Sequence, residues 1–209
     1  DRLMTEAGVT AHDDVLDVCS GMGGPARYLA WKRGCRVTGL DLTASRVQGA
    51  TELTAAAGLS QQVRFVQGNA LQMPLPDAAF TLAIAQEAFA HIPNKPQLMR
   101  ECARVLRPQG RLVFSDILRR TALPDDDARR LYEGMRFSEI ASADDYRHWL
   151  ADAGLRVVRV VDLGDEWTAI LRERHAMYRS LKAQTVARLG VAHFERYDRA
   201  YAHFVGLYQ

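Results

Sequence analysis

A doubly wound α/β fold built on a parallel sheet is the architecture this sequence predicts, and three observations point to it. Short β-branched runs alternate with helical stretches at βαβ spacing through roughly the first 118 residues. A glycine turn, Gly21-Met22-Gly23-Gly24, directly follows the first run and leads into a helix opened by Pro25, a residue suited to the first helical position. Acidic or amide residues stand at the ends of successive runs, where ligands bind in such sheets.

Residues 1–12 read as the end of a helix and a connector. The first strand covers about 14–19, where Val15, Leu16 and Val18 form a short apolar run of buried-strand length. The first crossover helix covers about 24–33, with Tyr28, Leu29 and Trp31 as its apolar surface and Gly34 as its terminating glycine. The second strand is 36–41, and Thr43 is placed to cap a helix that runs to Gly58. The third strand is 63–67, with period-two alternation; Gly68 to Asp77 carries Pro74 and Pro76 and must be loop. The fourth strand is 80–85. Asn94 can cap the next helix, where Leu98, Cys102, Val105 and Leu106 share a face, and Pro108 and Gly110 end it before a fifth strand at 111–118.

After that strand the pattern changes. Asp125, Asp126 and Asp127 open a helix with acids in its first turn, where the helix dipole favours them. Ser142 opens another helix, closed by Gly154. Residues 155–161 read as a sixth strand, and 165–208 as two helices broken near Gly190. The aromatics there, Trp167, Tyr178, Phe194, Tyr197, Tyr201, Phe204 and Tyr208, read first as a core face and second as a pocket lining. The expected division is a ligand-binding core at 1–120, then a segment at 121–209 holding the remaining strand and acceptor-side helices, all in one domain.

With 48% hydrophobic and 25% charged residues, composition is that of an ordinary globular domain. A net charge of +2, with no basic run interleaved with aromatics, gives no electrostatic footprint for nucleic acid. No apolar run is long enough to span a bilayer, and no signal peptide opens the sequence. Cys19, Cys35 and Cys102 are too scattered for a metal site or a disulfide framework, which fits a reducing cytoplasm. Oligomeric state is not readable. Asp1 in first place suggests that the native N-terminus lies outside this sequence.

The ligand follows from charge. Gly21-Met22-Gly23-Gly24-Pro25-Ala26 matches the G-x-G-x-x-A dinucleotide fingerprint, and Asp41 stands twenty residues beyond Gly21, where a ribose-binding acid would sit. Taken alone, this allows NAD. Asp17 argues otherwise, because a carboxylate beside the turn repels a pyrophosphate. S-adenosylmethionine brings an α-amino group and a sulfonium, both cationic, and still needs an acid for its ribose and an acceptor for its adenine. The N-cap alternative for Asp17 is set aside because the helix begins too far on.

The same residues resemble a known family. Asp17-Val18-Cys19-Ser20-Gly21-Met22-Gly23 is similar to the D/E-x-G-x-G-x-G motif of class I S-adenosylmethionine-dependent methyltransferases, with Cys19 in place of the first glycine. Gly39-Leu40-Asp41-Leu42 resembles their acidic strand-2 end. Gly68-Asn69-Ala70 resembles their G-D-A segment, with a neutral acceptor in place of the aspartate. Arg104 to Gly110 resembles their signature before strand 5. The resemblance covers about 10–120 and implies a Rossmann-like sheet and S-adenosylmethionine as cofactor. In that fold a seventh, antiparallel strand normally ends the sheet; none is found before Gln209, so the C-terminus is also expected to be incomplete.

The resemblance assigns Asp17, Cys19, Gly21, Gly23, Asp41, Leu42, Asn69, Ala70 and Gln86 to the cofactor, and no metal. Glu87 and His91 are the candidates facing the acceptor, with His91 able to take a proton near neutral pH. Arg27 and Tyr28 are within reach, though solvent and core are their ordinary fates. Arg136, Arg172 and Arg174 are candidate anchors for a carboxylate-bearing acceptor. Gly23 to Ala30, with Gln86 to His91, resembles the sarcosine and dimethylglycine N-methyltransferases; similar strings occur in natural-product methyltransferases. The expected partner is a small-molecule acceptor. An NAD-dependent oxidoreductase and a non-catalytic S-adenosylmethionine sensor are the readings from other classes.

Overall fold

The computed structural model of the chain describes residues 2–207. After α1 (Arg2–Glu6) come β1 (Asp14–Val18), α2 (Gly24–Arg33), β2 (Arg36–Asp41), α3 (Ala44–Ala56), β3 (Val63–Gln67) and β4 (Phe80–Gln86). A 3-10 turn at Phe89–His91 leads to α4 (Lys95–Val105) and β5 (Leu106–Ser115). Four further helices and one that returns to the sheet complete the described chain: α5 (Asp125–Met135), α6 (Ala143–Asp152), α7 (Gly164–Ser180), α8 (Lys182–Leu189) and α9 (Val191–Leu207).

All strand pairs are parallel, in the order β3-β2-β1-β4-β5. Both faces of the sheet are covered, and the strands sort their side chains by the period of two. Leu16, Val18, Leu40, Ala83 and Ala85 enter a core with Leu98, Met99 and Cys102 of α4 and Tyr146 of α6. Val15, Val37, Leu82 and Ile84 enter the opposite core with Met4 of α1 and Ala26, Leu29 and Ala30 of α2. This is the doubly wound Rossmann-like sheet expected.

The chain forms two compact units. One holds the residues up to Leu118 together with Ala141–Arg156, so that α6 packs against α4 beside the sheet. The other holds Arg119–Ile140 and the residues from Val157 on. Its helices α5, α7, α8 and α9 form a separate helical core. There Tyr178 stacks on Phe194 with centroids 5.0 Å apart, Tyr197 and Tyr201 lie 5.8 Å apart, and Phe204 meets Phe137 at 5.4 Å. The aromatics of this segment are thus a core face, with Trp167 covered by Arg174 at 5.7 Å; Tyr208 lies outside the described residues.

Several boundaries differ from the sequence reading. Residues 155–161 form no strand: Val158 is 80% exposed, and valine's β preference builds no ladder without a partner strand to pair with. Residues 165–207 hold three helices, because the backbone also leaves helical geometry at Leu181, which no glycine or proline announces. Helix α4 stops at Val105, before Pro108, because Leu106 already pairs with Phe80; Pro108 and Gln109 then lie in an irregularity of the ladder, Gln109 at φ +65°. The fifth strand ends at Ser115, three residues early. Thr43 is the cap residue of α3 but makes no side-chain cap bond; Asp41 Oδ1 accepts the Thr43 N–H at 2.9 Å instead. Among the described residues no helix is long and apolar enough to cross a membrane.

Candidate active site

β1 is bonded to β2 on one side and to β4 on the other, so the direction of winding reverses at β1. The crevice beyond the carboxyl ends of β1 and β4 is where such sheets bind ligands. Asp17 sits there, paired in register with Gly39 of β2 and Ile84 of β4.

Asp17 is buried. One of its oxygens takes a backbone hydrogen bond from Ala26, the third residue of α2, so it does reach the helix that the sequence had put too far away. The other oxygen, Oδ2, is buried with no hydrogen-bond partner, as is the Ser20 hydroxyl. Burial pushes the Asp17 carboxyl up to about 7; the Ala26 bond opposes this and the Asp41 carboxylate adds to it. Two unsatisfied buried polar atoms three residues apart in one turn fit a cationic, hydrogen-bonding ligand.

The turn is held from β2. The Gly21 N–H donates to Asp41 Oδ2 at 2.9 Å, and the Ser20 N–H donates to the Leu40 carbonyl at 2.9 Å. Cys19 takes the left-handed conformation, φ +61°, which explains why the family's motif carries glycine at this position. Its thiol is pushed up to about 12 by burial and the nearby Asp41 and Asp17 carboxylates, so it is no nucleophile. Gly21 and Gly23 also have positive φ, but they face different things. A Cβ on Gly23 would stand 2.3 Å from the Phe65 ring, whereas one on Gly21 would meet nothing within 4 Å. Gly23 is therefore a packing glycine, and Gly21 leaves open the space beside the turn.

Several of the remaining candidates follow the carboxyl ends of β2, β3 and β4. Leu42 follows Asp41 and is 66% exposed, a large apolar side chain in the open. Asn69 closes an Asx turn: its Oδ1 accepts the Leu71 N–H at 2.9 Å, while Ala70 is buried. Gln86 ends β4, exposed and opposite Ser115. Glu87 has φ +52°, a left-handed non-glycine residue directly after a central strand, and its N–H donates to the Ser115 carbonyl at 3.0 Å. His91 is exposed at the end of the 3-10 turn. Arg27 is taken up structurally, donating to the Met22 carbonyl at 2.8 Å, and Tyr28 packs partly buried beside the α2 core. Arg136, Arg172 and Arg174 all belong to the helical unit, with Arg136 lying 5.8 Å over the Tyr132 ring.

Comparison with known proteins decides the family. A methyltransferase-domain family profile matches residues 16–114. The chain is 35% identical over 172 residues to "Methyltransferase GfsG" of Streptomyces halstedii, covering 79% of this chain and 61% of that protein. It is 31% identical over 198 residues to the 27-O-demethylrifamycin SV methyltransferase of Amycolatopsis mediterranei, covering 93% of this chain and 73% of the relative. The chain belongs to the class I S-adenosylmethionine-dependent methyltransferases. Among solved structures, the provisionally assigned sarcosine dimethylglycine methyltransferase of Galdieria sulphuraria superposes with a TM-score of 0.90 at 23% identity, over 98% of this chain and 77% of that one. That likeness is one of fold.

Within this methyltransferase, sequence reasoning missed three residues. Asp116 follows β5 and is partly buried, Lys95 at the start of α4 is fully buried, and Tyr146 is buried inside α6. Asp116 had a readable signal: like Asp17 and Asp41, it is an acid at the carboxyl end of an apolar strand run. Lys95 and Tyr146 had none, because their burial depends on α4 and α6 packing together.

Proposed function

We propose that the chain transfers the methyl group of S-adenosylmethionine to a small-molecule acceptor, bound beyond the carboxyl ends of β1 and β4. The observation that supports this best is the buried, unpartnered Asp17 oxygen at the glycine turn. Such an oxygen costs free energy until a donor or a cation reaches it, and a pyrophosphate would be repelled. In this reading Asp17 meets the cationic end of the cofactor, and Cys19, Gly21 and Gly23 shape the turn around it. Asp41 accepts the ribose hydroxyls with the lone pairs its two backbone bonds leave free. Leu42 covers an adenine face, Asn69 and Ala70 meet the adenine edge, and Gln86 lies toward the methionine end.

When bound, the cofactor supplies a methyl group on a sulfur that is already cationic. The chain then has to align the acceptor with that methyl and exclude water. Glu87 and His91, on the turn after β4, take a proton from the acceptor or keep an amine unprotonated. No metal enters this scheme. A hydroxyl-bearing natural product is the first acceptor class, because the relative whose length this chain covers more fully is named for an O-demethylated substrate. An amine such as sarcosine or dimethylglycine is the second, on the similarity of Gln86 to His91 to that group.

Calorimetry with S-adenosylmethionine and with NADH tests the cofactor; tight NADH binding without S-adenosylmethionine binding would return the chain to the oxidoreductases. A radiolabelled methyl-transfer screen over glycine, sarcosine, dimethylglycine, phenols and sterol-like alcohols tests the rest. Turnover of a phenol or alcohol supports the first acceptor class, turnover of the glycine series the second. Cofactor binding with no turnover on any acceptor would favour a sensor.

A further inference from the structure

The carboxyl end of β5 grips the turn that follows β4 at two consecutive residues. The Ser115 carbonyl accepts the Glu87 N–H at 3.0 Å, and Asp116 Oδ1 accepts the Ala90 N–H at 3.0 Å. The other Asp116 oxygen accepts the Tyr146 hydroxyl proton at 2.6 Å, a bond that reaches across from α6. Lys95, wholly buried at the start of α4, donates to the Ile92 carbonyl at 3.1 Å and places its charge where it favours the Asp116 carboxylate. Phe89, Phe114, Tyr146 and Trp149 pack in an unbroken series around this polar group, with ring centroids 5.0, 5.0 and 5.6 Å apart.

The segment from Glu87 to Ile92 is therefore tied down at Glu87, Ala90 and Ile92, from β5 and α4. It needs holding, because Glu87 is in a left-handed conformation that its side chain does not favour. A partly buried carboxylate among aromatic rings costs free energy unless its oxygens are bonded, and here they are, by Tyr146, Ala90 and Ile117. Burial raises the Asp116 carboxyl, against the bonds from Tyr146, Ala90 and Ile117 and the pull of Lys95. Both carboxylate oxygens are committed, so Asp116 is a holding group and not a base.

We infer that Asp116, braced by Tyr146 and Lys95, is a positioning residue that sets the Glu87–Ile92 turn and thereby aims Glu87 and His91 at the acceptor. This rests on the acceptor-side role given to those two residues above. Of the cofactor contacts proposed above, Gln86 adjoins this turn, while those of Asp17 and Asp41 lie on β1 and β2.

The test uses Asp116→Ala, Asp116→Asn and Tyr146→Phe in the full chain, with circular dichroism confirming folding. Hydrogen exchange at the Ala90 and His91 amides should quicken in Asp116→Ala while the β1 and β2 amides stay protected. With an acceptor from the screen, kcat should fall by at least about tenfold in Asp116→Ala, as expected for misplaced reacting groups, while the S-adenosylmethionine Kd stays within about twofold. Asp116→Asn keeps an acceptor for the Ala90 N–H and should recover part of the loss. Tyr146→Phe should give a smaller fall of the same kind, and is the variant to rely on should Asp116→Ala fail to fold. Unchanged Ala90 exchange, or faster exchange with unchanged kcat, would overturn the inference. A wild-type chain that bound no S-adenosylmethionine would overturn the functional reading instead, and the exchange measurement would still judge the clamp.

Discussion

The Asp41 carboxylate accepts the Gly21 N–H at 2.9 Å through one oxygen and the Thr43 N–H at 2.9 Å through the other. One side chain at the end of β2 thus shapes both the glycine turn after β1 and the entry to α3. Asp41→Ala leaves two backbone donors without their acceptor, and should destabilise the chain by about 1–3 kcal/mol in urea unfolding. It should also weaken S-adenosylmethionine binding. Asp41→Asn, which keeps only one acceptor oxygen, should fall between the two. Wild-type stability in Asp41→Ala would mean that the turn holds itself.

With Asp17 in the cofactor role proposed above, stability and cofactor affinity should depend on pH in opposite directions. Its carboxyl is near 7 in the folded chain, against an ordinary value of 3.8. Between those values the folded state binds more protons than the unfolded one, so this group lowers stability as pH rises from about 4 to 7. Urea midpoints at pH 5 and pH 8 should show that loss, and Asp17→Asn should remove most of it. The cationic ligand prefers the ionised form, so S-adenosylmethionine affinity should rise with pH through 7, with proton release on binding at the acid end. Asp17→Ala should weaken binding by about tenfold or more, the scale of a lost charge-assisted contact. Unchanged affinity would show that the turn has been misread.

Gly21 and Gly23 separate ligand space from packing. Gly23→Ala drives a methyl into the Phe65 ring at φ +72° and should cost about 3 kcal/mol or more, near the upper end for overpacking with backbone strain added. Gly21→Ala meets open space, so its cost should be the backbone strain alone, about 1–2 kcal/mol. Calorimetry should nevertheless show the larger loss of cofactor affinity per unit of lost stability at Gly21. Equal effects on both measures would contradict this division.

Cys19 carries a side chain in a conformation suited to glycine. Cys19→Gly removes the strain and some buried surface together, so its stability should stay within about 1 kcal/mol of wild type. Cys19→Val puts a β-branched residue at the same φ and should be clearly destabilising, by about 2 kcal/mol or more in the same urea assay. The Cys19 thiol, with burial holding it near 12, should resist alkylation at pH 8 in the folded chain and react after unfolding.

The alternation of apolar runs and helical stretches determined the parallel sheet, because both periodicities are local properties of the chain. Asp17, at the end of the first run, determined the cofactor class, because the sign of one charge separates a pyrophosphate from a sulfonium.

The rest depended on partners distant in sequence. Residues 155–161 have strand composition but no strand to pair with, so they form no ladder, and the residues after Leu155 are exposed. Gly21 and Gly23 look identical in sequence, and only the Phe65 ring tells them apart. Asp17 could be read as a ligand residue, but not as the acceptor for Ala26 as well, since that depends on how α2 turns back onto the sheet. Asp116 could have been noticed as a strand-end acid. That it holds Ala90, with Tyr146 and Lys95 behind it, was decided by the packing of α4, α6 and β5, contacts that no local pattern encodes.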